Sequence, residues 1–389
     1  MLRRRQLTVN AALALWCSAF LLALGPSISC YHRNYPPFPR TALGGRALEL
    51  APRIDSLVVR EMRGRNIPGL SLAVLRHDSL VLLRGYGLVD RERGVSVTPE
   101  TIFQIASLTK PFTAMAIMLL VEDGRIQLDA PAARYLDWLP SAYSAVTVRQ
   151  LLQHTSGVPP DMRRANIDEM SEADFRQRFI ERAPSFPPGT SWQYANAGYT
   201  LLSQIVEHAS GKSFGNFLEQ RIFAPLGMRN TSYRVPERSD RQHAVGYDII
   251  GGALQRAPHV FSGWGNSGIE TTAADLARWL AAIARRELLS ESTYRLMFSP
   301  GRLAADTSIN FPFRDGRASY GFGWFLMHYR GEPLISHGGA IAGFSSVVNL
   351  LPTRAWSVVV LSNGKQGADR QGQAEALGNA VLDVLEAEQ

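Results

Sequence analysis

Lysine is scarce in this chain. Only three of its 41 basic residues are lysines, and one of them, Lys110, stands three residues after Ser107. Arginine effectively never loses its proton, whereas the amine of a buried lysine can become uncharged and act as a base. A helix that begins at this point would place the hydroxyl and the amine one turn apart on the same face. The pattern therefore indicates a serine nucleophile with an activating amine.

Cysteine is nearly absent, because the chain contains only Cys17 and Cys30. Cys17 falls within residues 1–29, which carry three consecutive arginines near the start, an apolar run over 11–24 and a stretch of small residues. This order is typical of a signal peptide, and the run is short for a membrane span, although an uncleaved anchor remains an alternative. A single cysteine is then left in the mature chain, so an intramolecular disulfide is excluded.

Cys30 lies where the signal would be cut, which leaves two interpretations open. The position resembles the lipid-modified cysteine of a bacterial lipoprotein, although Ser27 replaces the large aliphatic residue usual in such signals. The other interpretation is ordinary cleavage beside an incidental cysteine. A lipid on Cys30 would attach the protein to a membrane, with residues 30–46 as a tether. Both interpretations predict an exported protein, in the periplasm or at the cell surface.

The positive charge is modest. The formal net charge of +7 falls to +4 without residues 1–29, which contain three arginines and no acidic residue. Basic residues form no clustered stripe, which argues against a nucleic-acid partner. Histidine and aspartate are scattered without metal-ligand spacing, so the sequence predicts neither a metal nor another cofactor. The expected partner is a small-molecule or peptide substrate.

Hydrophobic spacing divides the expected domain, residues 47–388, into three parts. The first part has apolar residues at helical spacing over 46–65, followed by strand-like runs. The middle part, about 125–310, has helical periodicity interrupted by proline and glycine, and the last part contains further strand-like runs. This predicts one sheet built from both ends of the chain, a mostly helical insertion beside it, and a site in the cleft between them. The predicted strands are 70–75, 79–83, 321–329, 333–336, 344–351 and 356–361, and two more helices are predicted from Ser107 to about 124 and over about 371–386.

Ser-x-x-Lys alone is weak evidence, because the chain contains a second copy that follows a predicted strand and includes an Asn-Gly turn, Ser362 to Lys365. We interpret that copy as structural. Two further motifs occur once each, namely Tyr-x-Asn at Tyr194 and His-Gly-Gly at His337. With the stretches 151–157 and 188–190, they make the chain resemble the serine β-lactamase and penicillin-binding-protein superfamily, most closely its class C β-lactamase-like branch.

The resemblance implies a fold and a set of catalytic residues. The fold would be α/β (α+β), β-lactamase/transpeptidase-like, with an antiparallel sheet flanked by helices. Ser107 would attack a carbonyl and become acylated. Lys110 and Tyr194 would move the protons, with Tyr194 either ionised or relaying a proton beside the cationic amine. Asn196 would hydrogen-bond Lys110 and the substrate.

The resemblance also implies how the substrate is held. Backbone N–H groups of Ser107 and Ala340 would form the oxyanion hole. Gly338 and Gly339 would let the substrate lie close to the strand edge. His337 departs from the Lys-Thr-Gly that β-lactamases mostly carry here, so recognition of a substrate carboxylate should be weaker.

These implications favour a serine hydrolase that acts through an acyl-enzyme on an ester or amide, of the esterase or D-amino-acid peptidase (carboxypeptidase) type. Three alternatives remain: a penicillin-recognising sensor or scaffold that acylates without efficient turnover, a class C-like β-lactamase, and a purely structural domain. Four aromatic residues near motifs or glycine-rich loops either line the cleft or pack in the core, namely Trp192, Phe261, Trp264 and Phe344.

Residues 211–215 form a G-x-S-x-G pattern that we do not interpret as a nucleophile elbow. A helical run precedes the pattern, where an elbow would require a strand. Gly211 is instead predicted to end that helix, and Ser213 to cap the next one.

Overall fold

A computed structural model describes residues 45–160, 170–234, 243–260, 264–305, 307–313, 316–366 and 372–387. The predicted signal peptide, Cys30, most of the tether and Phe261 lie outside these residues. In chain order, the strands of the described part are β1 (Gly69–Arg76), β2 (Ser79–Asp90), β3 (Val95–Ser96), β4 (Phe103–Gln104), β5 (Ser232–Tyr233), β6 (Tyr247–Ile250), β7 (Ala253–Arg256), β8 (Ile269–Thr271), β9 (Phe311–Phe313), β10 (Gly316–Tyr320), β11 (Phe325–Tyr329), β12 (Glu332–Ile341), β13 (Phe344–Leu351), β14 (Trp356–Ser362) and β15 (Gly364–Gln366).

Helices occupy both ends of the described chain and much of the segment between β4 and β9. They are α1 (Gly45–Arg65), α2 (Lys110–Glu122), α3 (Val148–Leu152), α4 (Glu172–Ile180), α5 (Asn196–Ser210), α6 (Phe214–Leu218), α7 (Ala273–Arg285), α8 (Glu291–Met297) and α9 (Gln373–Glu386). Gly211 ends α5 with a φ of 69°, and the Ser213 side chain caps α6 by accepting a hydrogen bond from the Asn216 N–H, so both predictions for this region are confirmed.

The main sheet joins the two ends of the domain. Its nine strands run in the order β3-β2-β1-β14-β13-β12-β11-β10-β9, and neighbouring strands are antiparallel. Leu70 of β1 pairs with Tyr86 of β2 on one side and with Ser362 of β14 on the other. The predicted fold class, an antiparallel sheet built from both chain ends and flanked by helices, is therefore confirmed.

Both faces of the sheet are covered, which explains the continuous apolar runs of its central strands. Successive side chains of a strand point to opposite faces. In β1, Leu72 and Val74 join a core formed with α1 and α9, while Ala73 and Leu75 join the larger core formed with the helical region. The face of the sheet that carries Ala73 and Leu75 therefore packs against the helices that follow β4.

The sequence prediction missed several short strands. The segment predicted to be mostly helical contains β5 to β8 as well as helices, and the β9–β10 hairpin extends the main sheet beyond β11. β12 continues to Ile341, whereas the predicted strand ended at 336, so the His-Gly-Gly motif lies within the strand.

Candidate active site

Ser107 lies in a tight turn that joins β4 to α2. The turn is a 3-10 helix, Ala106–Thr109, and α2 begins only at Lys110, so the prediction that Ser107 opens this helix was wrong by three residues. Ala106 has a φ of 49°, in the left-handed region that a residue with a Cβ rarely adopts. Strain of this kind is concentrated at functional sites, where the surrounding structure holds it. The side chain of Ser107 remains partly accessible.

Lys110 is fully buried, and its amine lies within hydrogen-bond distance of three acceptors around Ser107. Nζ lies 3.2 Å from Oγ of Ser107, 2.9 Å from Oδ1 of Asn196 and 3.0 Å from the backbone oxygen of Asn266. A lysine ammonium has three N–H donors, and a buried charge is costly unless it is paired in this way. The hydrogen bonds to the Asn196 side chain and to the Asn266 backbone oxygen hold the amine beside the Ser107 hydroxyl.

Tyr194 adjoins both members of this pair. It shares a side-chain hydrogen bond with Ser107, and Nζ of Lys110 lies 4.7 Å from the centre of its ring. Burial raises the pKa of Tyr194 above its ordinary value, and the hydrogen bond with Ser107 offsets only part of this rise. The neutral phenol is thus the resting form, which favours the proton-relay alternative for Tyr194 over the ionised one.

Gly338 and Gly339 lie where other parts of the protein approach β12 closely. A Cβ on Gly338 would overlap the carboxylate of Glu375, which reaches the sheet from α9. A Cβ on Gly339 would overlap the carbonyl oxygen of Ile105 and come within 3.0 Å of the Ser107 nitrogen. The two glycines therefore allow α9 and the Ser107 turn to contact β12, and their role in admitting substrate to the strand edge stays a prediction.

Ala340 stands at an exposed position on the free edge of β12. The pairing of β11 with β12 ends at Phe325 and Ser336, so among the strands of the described residues the later part of β12 pairs with β13 alone. A two-residue turn joins Ile341 to Phe344, so these two residues form a hydrogen-bonded pair. Hydrogen-bonded and non-hydrogen-bonded pairs alternate along an antiparallel ladder, so the next pair, Ala340 and Ser345, is not hydrogen-bonded. This alternation directs the Ala340 N–H away from β13, toward the open edge. Its role in an oxyanion hole remains a prediction.

His337 is buried and neutral. Its Nδ1 lies 2.7 Å from the carbonyl oxygen of Gly338, which can only accept, so Nδ1 carries the proton. Nε2 then accepts from the Tyr320 hydroxyl at 3.1 Å. Burial, together with the charge of Lys110, lowers the pKa of His337 to about 3. The side chain therefore offers no positive charge to a substrate carboxylate.

Sequence reasoning missed three residues of this site. His154 was noted only as part of the 151–157 stretch, yet its ring centre lies 4.5 Å from that of Tyr194, and its Nδ1 accepts from the Ala195 N–H. Burial lowers the pKa of His154 well below its ordinary value. Tyr320 and Asn266 carried no motif signal, and Asn266 acts through its backbone oxygen, which any residue would supply.

The remaining candidates divide between the core and the surroundings of the site. Phe344 is buried in the core, Trp264 packs edge-on against Phe175, and Trp192 is half-buried, with its ring centre 6.2 Å from that of His154. The serine of the second Ser-x-x-Lys, Ser362, is buried in β14, and its side chain accepts a hydrogen bond from the Gly364 N–H.

Within the described ranges, no cluster of possible metal ligands occurs, and no helix has the length and apolar content needed to cross a membrane.

The antiparallel sheet, the helices on both its faces and the Ser-x-x-Lys at the start of a buried helix define the class of serine β-lactamases and penicillin-binding proteins. The Beta-lactamase family model matches residues 54–382, and the chain belongs to this family.

Similar proteins include penicillin-binding protein 4* of Bacillus subtilis (strain 168), which is 32% identical over 336 residues, covering 80% of this chain and 70% of that protein. Protein flp of Staphylococcus aureus (strain MRSA252) is 27% identical over 322 residues, and the match covers 80% of this chain but only 62% of flp. An octameric penicillin-binding protein homologue from Pyrococcus abyssi has a similar structure, with a TM-score of 0.76, 28% identity, and coverage of 87% of this chain and 77% of that one.

Proposed function

We propose that this protein is a serine hydrolase that cleaves an ester or amide through an acyl-enzyme. One observation carries the proposal: the Ser107 hydroxyl lies 3.2 Å from the Lys110 amine and is also hydrogen-bonded to Tyr194. A nucleophile within hydrogen-bond reach of a base that is itself held by a third group is the arrangement nucleophilic catalysis requires. Here Asn196 and the Asn266 carbonyl hold the base.

In the proposed acylation, the Lys110 ammonium first releases a proton to solvent, and Lys110 then reacts as the neutral amine. Two of its contacts, to Asn196 and Asn266, use its N–H groups, so the lone pair of Nζ can face Ser107. The proton of Ser107 passes to Nζ while Oγ forms a bond to the substrate carbonyl carbon. The neutral Tyr194 hydroxyl donates a proton to the leaving alcohol or amine and recovers one from Lys110.

The negative oxygen of the tetrahedral intermediate would lie between the N–H groups of Ser107 and Ala340. Each such donor is worth about 3 kcal/mol when it is preorganised. The free edge of β12 beside the Ser107 turn supports this assignment. Deacylation reverses the proton transfers, with water replacing the leaving group.

An ester is the favoured substrate. His337 occupies the motif position where β-lactamases mostly have a lysine, and it is buried and neutral, so it supplies no cation for a carboxylate. A carboxypeptidase and a class C-like β-lactamase act on substrates that carry that carboxylate, and we rank them below an esterase. A D-amino-acid peptidase whose substrate lacks a free carboxylate at this position is not disfavoured by His337.

The second candidate is a penicillin-binding protein that acylates without efficient turnover. The names of its relatives favour it, since penicillin-binding protein 4* is 32% identical to this chain. The nucleophile and base that serve hydrolysis would serve acylation equally well, so the two candidates differ in deacylation.

Burst kinetics with p-nitrophenyl acetate and a chromogenic cephalosporin separates the candidates. We expect continuous ester turnover that Ser107→Ala lowers by a factor of about 10³ or more. The matched control is Ser362→Ala, which alters the other Ser-x-x-Lys and should leave turnover unchanged. A stoichiometric burst with both compounds and no turnover identifies the penicillin-binding alternative, and full activity of Ser107→Ala refutes both.

We also propose that the domain works after export, on the strength of residues 1–29 and of Cys30 beside the expected cleavage point. The mass of the mature protein tests this. A diacylated N-terminal Cys30 supports a lipid-anchored protein, an unmodified N-terminus near residue 30 supports simple secretion, and a retained Met1 contradicts cleavage.

A further inference from the structure

Four aromatic rings, one of which lies parallel to the Tyr194 ring, have no part in the proposed proton transfers. They form a continuous group that we call the aromatic shelf, composed of Trp192, Phe311, Phe313 and Phe325. Trp192 and Phe311 are stacked with ring centres 3.6 Å apart at an angle of 8°. Phe325 lies 6.3 Å from Phe311 and 4.9 Å from Phe313. The shelf therefore connects three separate segments of the chain.

The backbone places two of these rings on the same face of their strand. β9 reads Phe-Pro-Phe, and side chains alternate along a strand, so Phe311 and Phe313 share a face while Pro312 is exposed. Trp192 precedes Tyr194 by two residues. Phe325 begins β11 at the point where the pairing with β12 ends, which is also where the free edge of β12 begins.

The shelf adjoins the reacting groups. The rings of Phe325 and Tyr194 are nearly parallel, at 10°, with centres 6.2 Å apart, and the Phe325 ring centre lies 5.2 Å from that of the neutral His337. All four shelf residues are only partly buried. A contiguous group of half-exposed aromatic rings that reaches a candidate catalytic residue is characteristic of a surface that an apolar ligand covers.

We propose that the aromatic shelf binds an apolar, preferably aromatic, group of the substrate next to the scissile carbonyl. This rests on the proposed hydrolase function and deepens it by naming the substrate class. Aromatic rings attract one another in offset-stacked and edge-to-face arrangements, and each buried ring removes a large apolar area from water. His337 beside Phe325 is neutral, so it supplies no charge that would favour an ionic substituent at that ring.

Three esters test the proposal: methyl acetate, methyl phenylacetate and benzyl acetate, with hydrolysis followed by pH-stat. The two aromatic esters are isomers that carry the added phenyl group on the acyl side or on the alcohol side. We expect kcat/KM for at least one of them to exceed that for methyl acetate by about tenfold or more, as expected for a filled hydrophobic pocket. The preferred isomer then shows which part of the substrate the shelf receives.

Phe313→Ala should reduce this preference severalfold, and Phe311→Leu provides a second, milder variant. The matched control is Phe298→Ala, another half-buried phenylalanine, which packs against Tyr294 and Trp324 and should leave the preference unchanged. Equal kcat/KM for all three esters, or a preference retained in both shelf variants, overturns the proposal while the hydrolase function stands. Failure of the wild-type protein to hydrolyse any of the three in a Ser107-dependent way counts instead against the hydrolase function, and the shelf proposal falls with it.

Discussion

Nζ of Lys110 lies 2.9 Å from Oδ1 of Asn196, although 86 residues separate the two in sequence. Asn196 is the first residue of α5, and its own N–H donates to the carbonyl oxygen of Pro160 at 2.8 Å. The contact therefore ties the helix that follows Tyr194 to the helix that follows Ser107, and it fixes the lysine amine between them.

Lys110→Arg should abolish most hydrolysis even though it preserves a positive charge. A guanidinium does not lose its proton at any working pH, so it cannot serve as the base. Loss of a positioned base costs about 10²- to 10⁴-fold in rate, which steady-state ester hydrolysis would reveal. Lys212→Arg, at an exposed lysine, is the matched control and should keep full activity. Comparable rates for the two variants would eliminate Lys110 as the base.

Gly339→Ala should impair both activity and stability. The added methyl group would overlap the Ile105 carbonyl oxygen and press on the Ser107 turn, and overpacking of this kind costs about 1–3 kcal/mol. Urea unfolding and ester hydrolysis measure the two effects. Gly64→Ala lies in α1 with open space around it, so it should be neutral or slightly stabilising. If Gly339→Ala behaves like Gly64→Ala, the close contact between β12 and the Ser107 turn is incorrect.

The protein should lose stability as the pH falls below about 6.5. The pKa of His337 is about 3 in the folded protein and 6.5 ordinarily, so between these values the unfolded chain binds a proton that the folded one does not. Stability then falls with decreasing pH by about 1.4 kcal/mol per pH unit for this group. His154, whose pKa is also lowered, should act in the same direction.

The measurement for this prediction is urea unfolding from neutral pH to about pH 5, with His337→Gln as the test variant. The variant should show a shallower pH dependence than the wild-type protein. His328→Gln removes an exposed histidine of β11 and should leave the dependence unaltered. A wild-type free energy of unfolding that does not change over this range would mean that His337 titrates freely.

Glu270→Gln should destabilise the fold near the nucleophile. Glu270 is buried, and its carboxylate lies 2.6 Å from Nε2 of His259, 3.4 Å from Nε2 of His243 and 3.1 Å from Nε2 of Gln104. Burial alone would raise its pKa, but hydrogen bonds with the two histidines and their charges hold the pKa at about 2. Removing one partner of a buried pair costs about 3–5 kcal/mol.

Thermal and urea unfolding of Glu270→Gln measure this cost, with Glu291→Gln, an exposed partner of Arg286, as control. The control should change the free energy of unfolding by about 0.5 kcal/mol or less. Because the folded pKa of Glu270 is depressed from 4.5, its contribution in the wild-type protein is present above about pH 4.5 and is lost as the pH falls toward about 2. Equal stability of the two variants would contradict a structural role for this cluster.

Much of the fold followed from the sequence, because buried strands and amphipathic helices have distinct hydrophobic patterns. The strand predicted over 344–351 coincides with β13, and the helix predicted over 46–65 differs from α1 by one residue at its start. The β9–β10 hairpin was missed. Its first strand contains Pro312, and proline within a short run argues against a strand except at a sheet edge, which is where β9 lies.

The sequence predicted the site residues that act through their side chains, and it could not predict those that act through backbone atoms. Ser107, Lys110, Tyr194 and Asn196 came from motifs, and the structure brings them together. The Asn266 carbonyl, by contrast, would be supplied by any amino acid at that position. The neutral state of His337 depends on burial, which its motif does not encode.

The pairing of β1 with β14 also bears on when the proposed active site can form during synthesis. Leu70 has no partner on one side until Ser362 has been translated, and contacts so distant in sequence form slowly. β12, which brings Ala340 to the site, is likewise made long after Ser107. A nascent chain therefore carries the serine and the lysine without the strand edge that the proposed reaction requires, so acyl transfer can begin only once the late strands have been added.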